Sequence, residues 1–155
     1  MLHVGFYQLC QASVSDVVTM LIQKARGAGK KVLIYCPNPA ASAIDDALWS
    51  HDPESWLPHG LDAAPGAELA PVWVCSDMVS NPIEADYVML LHGAVPQSWD
   101  GFERAFLIFD GKSDAQLEQA LSHWQQWKIL PETELAYFAQ TTDGRWEKKP
   151  DRQQV

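Results

Sequence analysis

The sequence predicts an α/β fold, a three-layer sandwich in which helices cover both faces of a mostly parallel sheet. Short apolar runs recur along the chain, and each ends near glycine, proline, asparagine or aspartate, as buried parallel strands do. Segments with apolar residues at helical spacing lie between some of these runs. This alternation is typical of an α/β domain, and 155 residues suffice for one.

The first half of the chain opens with a β-α-β-α pattern. The run VGFYQL, from Val4 to Leu9, reads as a strand, and a helix is expected from Asp16 to Ala28 with Ser13 or Ser15 as its N-cap. KKVLIYC is a β-branched run typical of a buried strand. ASAIDDALW, which follows two prolines, has the spacing of a second amphipathic helix.

The second half of the chain supplies three further strands, the clearest helix and a closing strand. The strand candidates are APVWVCS, DYVMLLHG and RAFLIFDG. The helix is SDAQLEQALSHWQQWKIL, capped by Ser113 or Asp114, and ELAYFAQ follows as the last strand. We therefore expect one domain over residues 1–146 and a polar, disordered tail over residues 147–155.

The charge distribution argues against nucleic-acid binding. The formal net charge is -9, and the interval between Lys31 and Arg104 holds eleven Asp and Glu but no Lys or Arg. Nucleic-acid affinity comes mainly from Lys and Arg that neutralise phosphates, so a face built from this interval would repel DNA or RNA. We expect no direct nucleic-acid partner.

Other features favour a cytoplasmic protein. The first residues lack the pattern of a signal peptide, and no run of about 18 apolar residues occurs. Cys10, Cys36 and Cys75 are odd in number and widely spaced, without a CxxC or zinc-ligand pattern. We expect buried free thiols and no membrane contact.

Motifs for catalysis or cofactor binding are not found. The glycines of RGAGKK follow a helix and precede a strand, which favours a helix C-cap over a phosphate loop. His51, His59 and His92 could join Asp45 or Asp46 in acid-base or metal chemistry, but their spacing matches no ligand pattern. We expect no enzyme activity, cofactor or metal; the alternative is a small α/β enzyme or nucleotide-binding domain with disguised motifs.

The stretch DDALWSHDPESWLPH combines two tryptophans with acidic residues and prolines. Trp49 follows the apolar helix face of Ile44 and Leu48, which favours core packing for its ring. Trp56 lies in a loop restricted by prolines, which favours contact with a partner, because tryptophan is enriched at interface hot spots. The alternative is that both rings cover the edge of the sheet.

This stretch also resembles a known family. DDALW, followed six residues later by SWLPHGL, is similar to the characteristic motif of the chi subunit of bacterial DNA polymerase III, approximately L-D-x-x-L-W and then S-F-x-P-H-x-L. FYQL, GKKVLIYC, APVWV and the run from DYVMLLHG through RAFLIFD resemble that family in order and spacing. The resemblance spans residues 4–146.

The resemblance implies a Rossmann-like protein without a nucleotide site, which acts as a non-catalytic DNA replication accessory subunit. Such a subunit pairs with the psi subunit of the clamp loader and holds the acidic C-terminal tail of single-stranded-DNA-binding protein. Carried over by position, the candidate psi contacts are Trp49, Trp56, Leu57, Pro58 and His59. Trp56 stands where the family usually has Phe.

The last helix departs from the family pattern. Basic positions of the family's tail-binding groove are here Leu, Gln or His, and tryptophans replace tyrosines. The candidates that remain for tail binding are Lys112, His123, Trp124 and Lys128. Trp124 and Trp127 either form an apolar pocket for the terminal Phe of the tail or pack in the core.

Overall fold

The computed structural model describes residues 2–37, 40, 72–76, 81 and 83–149. Within these residues two helices and seven strands are formed. In chain order they are β1 (Leu2–Leu9), α1 (Val14–Gly27), β2 (Val32–Tyr35), β3 (Val72–Cys75), β4 (Tyr87–Leu91), β5 (Arg104–Asp110), α2 (Asp114–Trp127), β6 (Thr133–Gln140) and β7 (Trp146–Lys149). The predicted helix ASAIDDALW lies outside the described residues.

The seven strands form one sheet in the order β3-β2-β4-β5-β1-β6-β7. Every neighbouring pair is parallel except β6 and β7, which are antiparallel. The first strand of the chain therefore lies inside the sheet: Phe6 is opposite Leu107 of β5 on one side and Tyr137 of β6 on the other.

The two helices cover opposite faces of the sheet. Successive side chains of a strand point to opposite faces, and in β1 the side chains of Val4 and Phe6 join a core cluster with Ala120, Trp124 and Trp127 of α2. A second cluster joins α1 to the other face; its members include Val18, Ile22, Ile34, Met89 and Ile108. These layers confirm the predicted three-layer α/β sandwich.

Both helices begin at a serine cap; α1 ends at the predicted glycines, and α2 ends at Trp127, three residues before the end of the predicted segment. Ser13, rather than Ser15, is the N-cap of α1, and its hydroxyl accepts a hydrogen bond from the Asp16 amide at 3.2 Å. Ser113 has the same role in α2, with the Gln116 amide as donor at 3.3 Å. Gly29 has a φ of 73°, so the glycines of RGAGKK close a helix end, as expected.

The sheet extends beyond residue 146, where we expected a polar tail. A turn at Thr141 and Gly144 reverses the chain, with Gly144 at a φ of 89°, and residues 146–149 then pair antiparallel with β6. An edge strand forms backbone hydrogen bonds on one side only and needs no apolar side chains. Residues 147–149 therefore belong to β7.

The Gln140 side chain ties the end of β6 to the segment that links β1 and α1. Its Oε1 accepts hydrogen bonds from the backbone amides of Cys10, Gln11 and Ala12 at 3.0, 2.7 and 3.0 Å. Its Nε2 donates to the carbonyl of Gly144 at 3.3 Å. One side chain thus satisfies four backbone groups from two distant parts of the chain.

Two of the three cysteines are buried free thiols, as expected, and Cys10 differs. Cys36 and Cys75 are buried free thiols, and Cys10 is partly exposed. Burial raises the pKa of Cys36 to about 11. Neither of the helices described here is long and apolar enough to cross a lipid bilayer.

Candidate partner-binding surfaces

The candidate residues of the psi contact, Trp49, Trp56, Leu57, Pro58 and His59, lie outside the described residues. The four candidates for tail binding are described, and all lie on or beside α2. Lys112 is exposed one residue before the N-cap, and Lys128 follows the last turn. Fourteen helical residues separate them, a span of roughly 21 Å at 1.5 Å per residue, so a peptide needs roughly six or seven extended residues to reach both.

Trp124 is a core residue. Its ring is 5% exposed and lies 5.2 Å from Phe6 and 5.8 Å from Tyr137, measured between centroids and in edge-to-face geometry in both cases. Trp127 is 6% exposed and contacts Phe6 and Trp99. Of the two alternatives for these tryptophans, packing in the core is the one observed, because both project from the face of α2 that covers the sheet.

His123 is stacked on the outer side of this aromatic cluster. Its ring lies 4.7 Å from Trp127 with an interplanar angle of 8°. Within the part of the chain that the structure describes, neither ring nitrogen of His123 has a hydrogen-bond partner, although both are buried, and the same holds for Nε1 of Trp124. Burial lowers the pKa of His123 from its ordinary value of 6.5, so the neutral imidazole is favoured in the folded protein.

The lowered pKa of His123 should make the folded protein less stable at acidic pH. Because the folded pKa is depressed, the unfolded chain takes up a proton more readily, and the free energy of unfolding should fall as pH drops below about 6.5. We expect His123→Phe, which keeps the stacked ring, to remove this part of the pH dependence. Urea unfolding at pH 5 and pH 7.5 measures it.

Exposed His92 supplies the matched control for that experiment. Its backbone φ is 51°, a conformation that asparagine tolerates. His92→Asn should leave the difference between the two pH values unchanged. An equal loss in both variants would contradict the assignment to His123.

The exposure of Ile129, the apolar residue beside Lys128, was not predicted. Ile129 is 78% exposed, directly after the cation and at the end of α2. A cation next to an exposed apolar side chain suits a short acidic peptide that also carries an apolar residue. This end of α2, defined by Lys128, Ile129 and the His123–Trp127 stack, is called the helix-end patch below.

A second surface lies on the sheet face opposite α2. A hollow of about 530 Å³ opens over β5, β1 and β6. Tyr7, Phe106 and Phe138 line it, and Arg104 and Lys148 stand at its rim. We call this hollow the sheet groove. By contrast, the hollow between the carboxyl end of β5 and α2 measures about 10 Å³, room for roughly one water molecule.

Sequence reasoning missed the sheet groove because its residues come from distant parts of the chain. Gly5, Phe106 and Ala136 share one row across three strands only through the observed register. The alternation of Gly5 and Tyr7 with buried Val4 and Phe6 was a visible signal that β1 has a second, partly exposed face. The strand order that places these residues together is not visible in the sequence.

Comparison with known proteins gives concordant matches. The sequence model of the family described as "DNA polymerase III chi subunit, HolC" matches residues 1–130. DNA polymerase III subunit chi of Haemophilus influenzae is 28% identical over 121 residues, which cover 77% of this chain and 83% of that protein.

Proposed function

The chain belongs to the DNA polymerase III chi subunit family, and from this premise we propose that it bridges two replication proteins without catalysing a reaction. Membership makes it an accessory subunit of DNA replication. The proposed partners are the psi subunit of the clamp loader and the C-terminal tail of single-stranded-DNA-binding protein. The proposed place of action is the cytoplasm.

The observation that supports this proposal most is the extent of the family match. It covers residues 1–130 and so includes both the DDALW and the SWLPH blocks. Each block contains a tryptophan, the residue type that is enriched at interface hot spots. An interaction role also agrees with the net charge of -9, which disfavours direct contact with nucleic acid.

For the psi contact, the proposal assigns the central position to Trp56. We expect Trp56→Ala to weaken binding of a purified psi subunit by roughly 2 kcal/mol, about 30-fold in the dissociation constant, because truncation of a hot-spot ring has this effect. Isothermal titration calorimetry measures the change, and circular dichroism checks that the variant is folded.

Trp56→Phe is the matched control for that titration. The resembling family usually has Phe at this position, so an aromatic ring of smaller size should retain most of the affinity. A dissociation constant of Trp56→Ala equal to that of the unaltered protein, in a folded variant, would contradict the assignment.

For the tail contact, the proposal uses the helix-end patch. Lys128 would face carboxylates of the tail, and Ile129 with the outer face of the His123–Trp127 stack would hold its terminal apolar side chain. Trp124 would support this patch from the core rather than contact the tail. With one cation at the patch we expect weak affinity, on the order of tens of micromolar, with a shallow salt dependence.

A further inference from the structure

Among the described residues, no helix covers one half of a sheet face. The buried residues that cluster with α1 lie mainly on β2, β3, β4 and β5, and only the half-buried Trp146 joins them from β7. On that same face β1, β6 and β7 carry Tyr7, Phe138 and Trp146, all only half-buried. Parallel sheets are normally covered on both faces, so this uncovered part of the sheet invites an external partner.

The half-buried aromatic rings on this face form a continuous row across the sheet. Tyr7 is stacked on Phe138 with centroids 5.1 Å apart, and it contacts Phe106 at 5.9 Å and Trp146 at 5.7 Å. Tyr87 extends the row beyond Phe106 at 5.7 Å. Five neighbouring strands each contribute one ring. The rings hold one another in place, so the surface is ordered before any partner binds.

The hollow of the sheet groove exists because small residues form its floor. Gly5 and Ala136 are directly opposite each other in β1 and β6, and both line the hollow. A Cβ atom at Gly5 would lie 2.8 Å from Cε2 of Tyr7, so the absence of a side chain lets the Tyr7 ring fold over the strand. At about 530 Å³ the hollow is within the usual size of ligand sites.

Two cations, Arg104 and Lys148, line the sheet groove. Among the described residues no carboxylate lies within ion-pair distance of either cation. The Glu134 carboxylate also lines the hollow, where it contacts Nδ1 of His3 at 3.1 Å. Burial raises the pKa of Tyr7, and the charge of Arg104 opposes this rise. The described lining therefore holds more cations than carboxylates, although the protein has a net charge of -9.

We propose that the sheet groove is a docking site for an acidic segment of a partner protein. A large apolar side chain of the segment enters the hollow over Ala136, beside the Tyr7 ring that covers Gly5, and carboxylates on either side of it face Arg104 and Lys148. Aromatic walls suit the apolar side chain, and the flanking cations select against basic segments. This site goes beyond the proposed function, because it lies on the sheet face opposite the helix-end patch and its described lining contains none of the tail-binding candidates.

Other occupants fit the groove less well. Single-stranded nucleic acid also stacks on aromatic rows, but it binds through many phosphate contacts, and the groove offers two cations on a strongly acidic protein. A second copy of the chain would bring another net charge of -9 to the same surface. An acidic segment that is short enough to reach only the rim cations avoids most of this repulsion.

The test uses the full chain and three unlabelled peptides, GDDFDDG, GDDADDG and GKKFKKG. Calorimetry should give saturable binding of GDDFDDG with a dissociation constant on the order of 100 μM. Binding of the other two peptides should be at least about tenfold weaker. Amide chemical shifts induced by GDDFDDG should concentrate at β1, β5 and β6.

Variants then locate the site. Ala136→Leu fills the hollow and should weaken binding of GDDFDDG at least about tenfold, and Lys148→Gln should weaken it about threefold. Lys24→Gln removes an exposed cation from α1, outside the groove, and is the matched control with no expected effect. The Lys148→Gln result remains informative if Ala136→Leu proves unstable in circular dichroism.

Four results would overturn this proposal. The first is a lack of saturable binding of GDDFDDG up to about 1 mM, and the second is binding that neither groove variant changes. The third is a set of amide shifts confined to α2, with binding of GDDFDDG lost in Lys128→Ala. The fourth is that Ala136→Leu leaves peptide binding intact but blocks binding of oligo-dT or self-association. The psi titration with Trp56→Ala is independent of all of these, so each proposal can fail alone.

Discussion

Trp124→Ala is expected to lower the free energy of unfolding by about 3–5 kcal/mol, the usual cost of removing a large aromatic ring from a core. The ring is 5% exposed and packs edge-to-face on Phe6 and Tyr137. These residues belong to β1 and β6, so the cavity would open between α2 and the middle of the sheet. Urea unfolding followed by far-UV circular dichroism measures the loss.

Trp146→Ala is the matched control for this experiment. Trp146 is a half-buried ring on the edge strand β7, on the other face of the sheet, and its removal should cost about 1–2 kcal/mol because the site stays open to water. If Trp124→Ala left stability unchanged and abolished only binding of the tail peptide, the placement of Trp124 in the core would be wrong.

Gly111→Ala is expected to lower the free energy of unfolding by about 3 kcal/mol, at the upper end of the range for overpacking. Gly111 follows β5, and its amide donates a hydrogen bond to the Leu9 carbonyl at 2.9 Å. A Cβ atom here would lie 2.8 Å from that carbonyl oxygen and 2.5 Å from Cγ of Gln8. The backbone contact cannot be relieved by a rotamer change, so β5 and β1 would have to separate locally.

Gly27→Ala makes the same chemical change where there is room for it. Gly27 ends α1, and no atom lies within 4 Å of the position that its Cβ would take. This variant should be more stable than the unaltered protein by about 0.5 kcal/mol, since alanine restricts the unfolded chain and favours the helix. Equal destabilisation by both substitutions would contradict the steric explanation for Gly111.

The elements whose pattern is local were predictable from the sequence. The strands β2, β3 and β4 are continuous apolar runs because nearly all of their side chains, on both faces, are buried, and such runs stand out in any sequence. The serines at 13 and 113 were recognised as possible caps, but the neighbouring Ser15 and Asp114 fit the same rule. Only the observed hydrogen bonds, from the amides of Asp16 and Gln116, decide between them.

The strand β7 was not predicted because its residues, WEKK, have the composition of a solvated tail. A signal was nevertheless present. Asp143 and Gly144 form the dipeptide most typical of short hairpin connections, and it lies between the apolar end of β6 and Trp146. Because the charged segment has no apolar face of its own, its order depends on pairing with β6, a tertiary effect that composition does not show.

The candidate site was only partly accessible to sequence reasoning. Helical spacing put Trp124 and Trp127 on one face of α2, but it did not say whether that face meets the sheet or a partner. The register resolves this, since Phe6 of β1 contacts both rings. The sheet groove required still more information, because Gly5 and Ala136 become neighbours only in the observed strand order.

The inner position of β1 has a consequence for the protein during its synthesis. Residues 2–9 are translated well before their partners in β5 and β6, which begin at residues 104 and 133. At roughly 5–20 residues per second, the ribosome needs on the order of 5–20 s to deliver the first partner. During this interval Val4 and Phe6 stay exposed and both edges of the strand remain unpaired, so chaperone binding to this part of the nascent chain should be strongest over residues 2–9.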